Sequence, residues 1–207
     1  MRELFRRILW DVDTQVDFML PGGKLYVPGA EETAPAMGRL VAATREAGIV
    51  HVASADDHEL TDSEISDAPD FQTTYPPHCL RGTRGAAKVD ETVQEDPVPI
   101  GLGEFPERFL RGREFLLLKK NFDVFTNPNT ERLLEWLDPD EVILFGVATD
   151  VCDDAAIRGL RERGRRVRFV EDAARGLDEG RVATSMADWR ERGVEFTTAA
   201  EAISSLG

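Results

Sequence analysis

The chain has 207 residues, of which 42% are hydrophobic and 31% charged, an ordinary globular balance that predicts one domain over residues 1–207. A formal net charge of −14 argues against nucleic-acid or anionic-membrane partners, which require clustered cations. Two cysteines make no disulfide framework, the N-terminal apolar run is too short for a signal peptide, and no stretch approaches the roughly 20 apolar residues of a membrane span. These features predict a cytoplasmic protein.

In chain order, apolar β-rich runs alternate with segments of helical periodicity. The predicted strands cover residues 8–12, 49–53, 115–118, 142–147, 167–170 and, more weakly, 194–197. The predicted helices cover residues 31–47, 129–137, 152–163, 179–192 and 199–206. Continuous rather than alternating apolar strands are typical of a parallel sheet covered on both faces. We therefore predict a three-layer α/β/α Rossmann-like fold with a mainly parallel sheet of about six strands.

One long irregular segment, residues 56–105, is rich in Asp, Pro, Thr and Gly. A loop of this length inside a compact domain usually has a function. We therefore expect it to contribute to the active site.

Chemically active side chains follow several of the predicted strands. Asp13 follows the first, Asp56 and His58 follow the second, and Lys119 follows the third, with Lys120 as an alternative to it. The fourth strand leads into a turn that ends at Cys152. Ligands of such sheets bind beyond the carboxyl ends of the strands, so we expect these groups to converge at one edge.

Cys152 opens a predicted helix, where free N–H groups and the helix dipole favour a thiolate and lower the thiol pKa. The alternative is a cysteine that only packs beneath the helix. None of the three histidines forms an obvious pair with Cys152, so the available base is Asp13, with Lys119 as the nearby cation. Taken singly, Asp13 fits a turn and Lys119 fits a strand end, but together with Cys152 they indicate a catalytic triad.

A second group of residues has the chemistry of metal ligands. Asp56 and His58 follow a strand, and His78 lies in the long loop. Nitrogen and oxygen donors of this kind suit zinc, iron or manganese. The alternative is that the two histidines only form hydrogen bonds within the loop. Glu64 or Asp70 is a candidate for a fourth, carboxylate ligand.

Four motifs resemble the isochorismatase-like cysteine hydrolases, the superfamily that includes nicotinamidases, and they occur in the family order from residue 8 to about residue 202. Residues 13–18 (DTQVDF) resemble the D-x-Q-x-D-F signature, and residues 146–152 (GVATDVC) resemble the G-x-x-T-D-x-C nucleophile turn. Lys119 with residues 123–125 is similar to the family lysine followed by S-A-F. Residues 75–86 resemble the W-P-x-H-C and G-T-x-G-A segments.

The resemblance implies that Asp13 takes the proton of Cys152, that the thiolate attacks an amide carbonyl, and that a thioester forms. It also implies a cis peptide between Val147 and Ala148, in a turn whose backbone N–H groups would form the oxyanion hole. Lys119 would orient Asp13.

The resemblance further implies one divalent metal at Asp56, His58 and His78, with zinc as the first choice. Phe18 and Tyr75 are candidate aromatic walls for a flat substrate ring, and core packing is their alternative.

Three departures from the family pattern bear on the substrate. Asp57 replaces the tryptophan of the D-W-H segment, and Tyr75 replaces the tryptophan before Pro-x-His. Asp153 and Asp154 follow Cys152 where the family more often has a hydrophobic residue. Their charges would stabilise the helix start but oppose a nearby thiolate.

The leading prediction is a metal-dependent amidase with nicotinamide as the first substrate to try. An isochorismatase-like amidohydrolase acting on a carbamoyl, ureido or other small amide is the second, and a non-catalytic small-molecule binding protein is the third. The partner expected in each case is a small molecule. Family members are often oligomers, so a homo-oligomer is also an expectation.

Overall fold

The computed structural model describes residues 6–105 and 111–206. Its strands are β1 Arg7–Val12, β2 Val50–Asp56, β3 Val98–Ile100, β4 Glu114–Lys119, β5 Glu141–Val147, β6 Arg166–Arg175 and β7 Glu195–Thr197. Its α-helices are α1 Val16–Met19, α2 Ala34–Glu46, α3 Pro128–Leu137, α4 Cys152–Glu162, α5 Glu179–Glu191 and α6 Ala199–Ser204. Short 3₁₀ helices cover Ala30–Thr33, Arg84–Ala86 and Val124–Thr126.

The seven strands form one sheet in the order β3-β4-β2-β1-β5-β6-β7, and every neighbouring pair is parallel. The chain runs outward from β1 in one direction through β2 and β4, and in the other through β5, β6 and β7. The order of the strands therefore reverses between β1 and β5. In open parallel sheets, a crevice beyond the strand ends at such a reversal is the usual ligand site.

Apolar side chains alternate between the two faces of the central strand β1 and build a core on each face. Ile8, Trp10 and Val12 pack in a cluster with residues of α3, α4 and α5. Leu9, on the opposite face, packs in a cluster with residues of α2 and α6. The predicted three-layer α/β/α fold is thereby confirmed.

The strand count is seven rather than about six, because the sequence analysis omitted β3. This strand has only three residues, with Pro99 at its centre, and pairs only with β4 at the edge of the sheet. The helix predicted over 31–47 divides into a 3₁₀ turn and α2, whose first turn contains Pro35. The predicted loop 56–105 contains β3 and one 3₁₀ turn.

None of the helices within residues 6–105 and 111–206 is both long and apolar enough to cross a membrane. Residues 1–5, which belong to the segment considered for a signal peptide, lie outside the described residues.

Candidate active site

Asp13 lies in the turn that follows β1 and is completely buried. Its backbone adopts a left-handed conformation with φ of 50°. The Ser54 hydroxyl of β2 donates a hydrogen bond of 2.7 Å to Asp13 Oδ1, and the Asp13 N–H donates one of 3.3 Å to the Ser54 carbonyl. These contacts fix the carboxylate at the carboxyl edge of the sheet.

Lys119, the last residue of β4, is also completely buried and pairs with two carboxylates. Its Nζ lies 2.8 Å from Asp13 Oδ2 and forms a second ion pair with Asp56 Oδ1. The parallel register places Asp56 directly beside Lys119. Burial would lower the pKa of Lys119, but Asp13 and Asp56 raise it well above its usual value. Lys119 therefore remains a cation.

Lys120, the alternative to Lys119, points elsewhere. Its Nζ hydrogen-bonds the Asp57 carbonyl and lies 3.0 Å from Asp62 Oδ2. The two lysines thus have different partners, and only Lys119 reaches Asp13.

The turn after β5 brings Cys152 to the same edge. Gly146 approaches β1 so closely that an added Cβ would lie 2.2 Å from the Val12 carbonyl oxygen. A cis peptide joins Val147 to Ala148, as the family resemblance implied. The Ala148 carbonyl accepts hydrogen bonds from the N–H groups of Val151 and Asp153, which closes the turn onto the start of α4.

Cys152 is the first residue of α4 and is 8% exposed. Burial raises the pKa of its thiol well above the usual value; Lys119 opposes this, and the charges of Asp13 and Asp56 act in the same direction as burial. The net direction is opposite to the lowering that the helix start alone predicted, because burial disfavours the charged thiolate. Burial also raises the pKa of Asp13, which suits a group that accepts the thiol proton.

Asp56, His58, Glu64 and His78 form a buried cluster whose ligand atoms all lie within 4.8 Å of one another. Burial opposes the ionisation of Asp56, but the charge of Lys119 and the neighbouring His58 and His78 hold its pKa well below the usual value. Burial and the charge of Asp56 raise the pKa of Glu64 to about 7. Glu64 Oε2 also accepts a hydrogen bond from the Phe122 N–H at 2.9 Å.

Each of the two histidines has its ring Nδ1 atom close to an oxygen atom of the loop, which orients the ring. His58 Nδ1 lies 3.3 Å from Asp62 Oδ2, and His78 Nδ1 lies 2.7 Å from the Pro76 carbonyl oxygen. Within the described part of the chain, the buried His58 Nε2 has no hydrogen-bond partner. A nitrogen left free in this way, beside carboxylate oxygens, fits a divalent metal of the zinc, iron or manganese type.

Of the two candidates for a fourth ligand, Glu64 lies in the cluster and Asp70 does not. Asp70 is exposed, and its Oδ1 accepts hydrogen bonds from the backbone N–H groups of Gln72, Thr73 and Thr74. Asp70 therefore stabilises a turn of the loop.

The Gln15 side chain holds the backbone of Asp56, a role that was not predicted from the sequence. Its side-chain oxygen accepts from the Asp56 N–H at 2.7 Å, and its Nε2 donates to the Asp56 carbonyl at 2.8 Å and to the Ala86 carbonyl at 2.9 Å. The third position of the D-x-Q motif was the available signal for it.

A cleft with about 350 Å³ of empty space, part of it open to solvent, joins Cys152 to the cluster. Phe18 and Tyr75, the predicted aromatic walls, both line it and are 6% and 8% exposed. The sequence analysis missed its other apolar lining residues, which are Leu25, Val27, Phe122, Val151 and Leu177. They come from separate loops and turns, so no periodic pattern marks them.

His51 and Cys79 do not line the cleft. His51 projects toward Asp11, with 3.7 Å between Nε2 and Oδ2. Cys79 is completely buried, and its N–H donates to Asp17 Oδ2 at 2.8 Å. Cys79 therefore packs within the loop.

Comparisons with known proteins agree with this arrangement. The chain is 29% identical over 198 residues to the nicotinamidase/pyrazinamidase of Mycobacterium tuberculosis, covering 92% of this chain and 97% of that protein. It is 26% identical to the nicotinamidase of Escherichia coli, covering 89% and 97% of the two chains. Its fold is similar to that of the pyrazinamidase of Pyrococcus horikoshii solved in complex with zinc, with a TM-score of 0.73 and 23% identity over 93% of this chain and 99% of that one.

The model of the isochorismatase domain matches residues 8–201. This range includes the turn of Asp13, the sheet except for Arg7 of β1, and the start of α4. The predicted isochorismatase-like hydrolase is thereby confirmed, and the chain belongs to the isochorismatase family.

Proposed function

We propose that the protein is a metal-dependent cysteine amidohydrolase that converts a small aromatic amide, with nicotinamide as the first choice, to the acid and ammonia. The observation that carries this proposal is the buried ion network in which Lys119 bridges Asp13 and Asp56. This network joins the base beside Cys152 to the cluster with metal-ligand chemistry. The names of the Mycobacterium tuberculosis and Escherichia coli relatives support the choice of nicotinamide.

In the first half of the reaction, Asp13 accepts the proton of the Cys152 thiol as the sulfur attacks the amide carbonyl carbon. The backbone N–H groups of Ala148 and Cys152, both residues of the cleft wall, are the proposed donors to the oxyanion. The C–N bond then breaks, the proton on Asp13 moves to the leaving nitrogen, and ammonia departs from a thioester.

In the second half, Asp13 accepts a proton from water as the water oxygen attacks the thioester carbonyl carbon. The C–S bond breaks, the acid is released, and the proton on Asp13 returns to Cys152. Lys119 keeps Asp13 in position through both halves, and its charge offsets the negative charge that develops on the sulfur.

The proposed metal ligands are Asp56, His58, His78 and Glu64. A divalent ion there would supply an electron-pair acceptor for a ring nitrogen or for water. Phe18 and Tyr75 would hold the flat ring between them and the cluster, since the His78 ring lies 5.4 Å from that of Phe18 and 6.2 Å from that of Tyr75.

The test is a substrate panel on zinc-loaded protein, with ammonia and the acid product both measured. We expect nicotinamide to be hydrolysed faster than benzamide, which lacks the ring nitrogen, and faster than carbamoyl or ureido compounds. Preference for the carbamoyl or ureido compounds would favour the second family activity. Absence of turnover on all of them would contradict the proposal.

A further inference from the structure

The carboxyl group of Asp153 lies in the first turn of α4, one residue beyond Cys152, and is completely buried. Within the described part of the chain, neither of its oxygens makes a hydrogen bond of normal geometry. Its neighbour Asp154 differs sharply: it accepts hydrogen bonds of 2.8 Å from Arg158 Nε and from Trp189 Nε1. Two adjacent carboxyl groups therefore occupy opposite environments.

No cation forms an ion pair with Asp153 among the residues that the structure describes. The largest charge effects on it come from Asp13, Asp11 and Asp150, all carboxyl groups, and the Thr149 side chain opposes them. From α5, which packs against α4, Asp188 pairs with Arg158 at 2.7 Å. Burial raises the pKa of Asp153 well above its usual value, and the charge of Asp13 is the next largest cause.

An ionised carboxylate without a partner at full burial is strongly disfavoured, whereas the neutral acid loses far less on leaving water. We infer that Asp153 is a neutral carboxylic acid in the resting enzyme, and that this keeps a second negative charge away from the sulfur of Cys152. Asp153 is not among the residues that line the cleft, so its proposed action is on Cys152 and not on the substrate. The effect of Asp153 on catalysis rests on the proposed function, but the protonation state of Asp153 does not.

At alkaline pH, the ionisation of Asp153 should affect Cys152. Once Asp153 ionises, its charge opposes formation of the Cys152 thiolate, because like charges in a buried site disfavour each other. Asparagine has nearly the same shape and remains neutral at every pH. In the alkaline range, where Asp153 of the wild type is charged, Cys152 of Asp153→Asn should therefore ionise at a lower pH than Cys152 of the wild type.

The protonation state is tested by infrared difference spectroscopy at neutral pH, comparing wild type with Asp153→Asn and, as the matched control, Asp154→Asn. We expect the C=O stretching band of a protonated carboxyl in the wild type to be reduced in Asp153→Asn and unchanged in Asp154→Asn. An unchanged band in Asp153→Asn would overturn the inference. So would an Asp153→Asn protein that fails to fold, since a neutral residue of the same shape should be tolerated.

The effect on Cys152 is tested by its rate of alkylation with iodoacetamide across pH, followed by peptide mass spectrometry. This measurement needs no substrate, so it is independent of whether nicotinamide is hydrolysed. We expect Asp153→Asn to react about tenfold faster than wild type at alkaline pH, which corresponds to one pKa unit, and equally at neutral pH. Superimposable profiles for the wild type and Asp153→Asn would overturn the tuning role, and Asp154→Asn should follow the wild type.

Discussion

At the scale of single residues, the site depends on one buried cation. Lys119 is completely enclosed and forms ion pairs with both Asp13 and Asp56. Removal of one partner from a buried ion pair leaves an uncompensated charge, which is far more costly than the loss of a surface pair. The lysine therefore contributes to stability as well as to the proposed chemistry.

Lys119→Met should lower the free energy of unfolding by about 3–5 kcal/mol, because two carboxylates would then face each other without a cation. It should also reduce amidase activity at least about a hundredfold. Urea unfolding and an ammonia assay measure the two effects. The control is Lys120→Met, whose side chain is 26% exposed and should change stability by less than about 1 kcal/mol. Equal stability of the two variants would contradict the structural role of Lys119.

Glu64 makes metal binding dependent on pH. Its pKa is about 7, so at lower pH it carries a proton that must leave before the carboxylate can bind a metal. The affinity for zinc should therefore rise as pH increases through 7. Isothermal titration with zinc across this range measures the effect, and Glu64→Gln should flatten it. A wild-type affinity that does not change between pH 6 and about pH 8 would exclude Glu64 as a ligand that must lose its proton.

At the scale of secondary-structure elements, the parallel strands β1, β2, β4 and β5 bring the site residues together because they end at a common edge of the sheet. β1 and β5 approach each other closely at Gly146, which has φ of 145° and leaves no room for a side chain. This contact sets the position of the turn that leads to Cys152.

Gly146→Ala should destabilise the protein by at least about 2 kcal/mol and reduce activity, because its Cβ would overlap the Val12 carbonyl oxygen. The control is Gly101→Ala, where an added Cβ would meet no atom within 4 Å and where the stability should change by less than about 0.5 kcal/mol. Thermal unfolding of both variants measures the difference. A Gly146→Ala protein as stable as the control would show that the two strands can separate without cost.

The parts of the fold and site that follow from local sequence were predictable. Long apolar runs located six of the seven strands, and the strand ends located Asp13, Lys119 and Cys152. The resemblance added the cis peptide, which no local pattern indicates. Glu64 was not separable from Asp70, because only the folded loop shows that Asp70 caps a turn. The effect of burial on the Cys152 thiol likewise depends on the three-dimensional surroundings.

At the scale of the whole molecule, the chain has a net charge of −14, and its site contains a buried cation and a candidate metal cluster. The single-domain organisation over residues 1–207, the cytoplasmic location and the homo-oligomer stay predictions. The proposed activity requires the Asp13, Lys119 and Cys152 triad and the cluster to work in one cleft, so the decisive variant must remove the nucleophile and leave the cluster intact.

The most direct test compares ammonia release from nicotinamide by wild type and Cys152→Ala, with zinc content measured in both. Cys152 is not a member of the four-residue cluster, so the variant should bind zinc as the wild type does. We expect ammonia release by the wild type and its loss in Cys152→Ala at equal zinc content. Release at the wild-type rate by Cys152→Ala would contradict the assignment of Cys152 as the nucleophile.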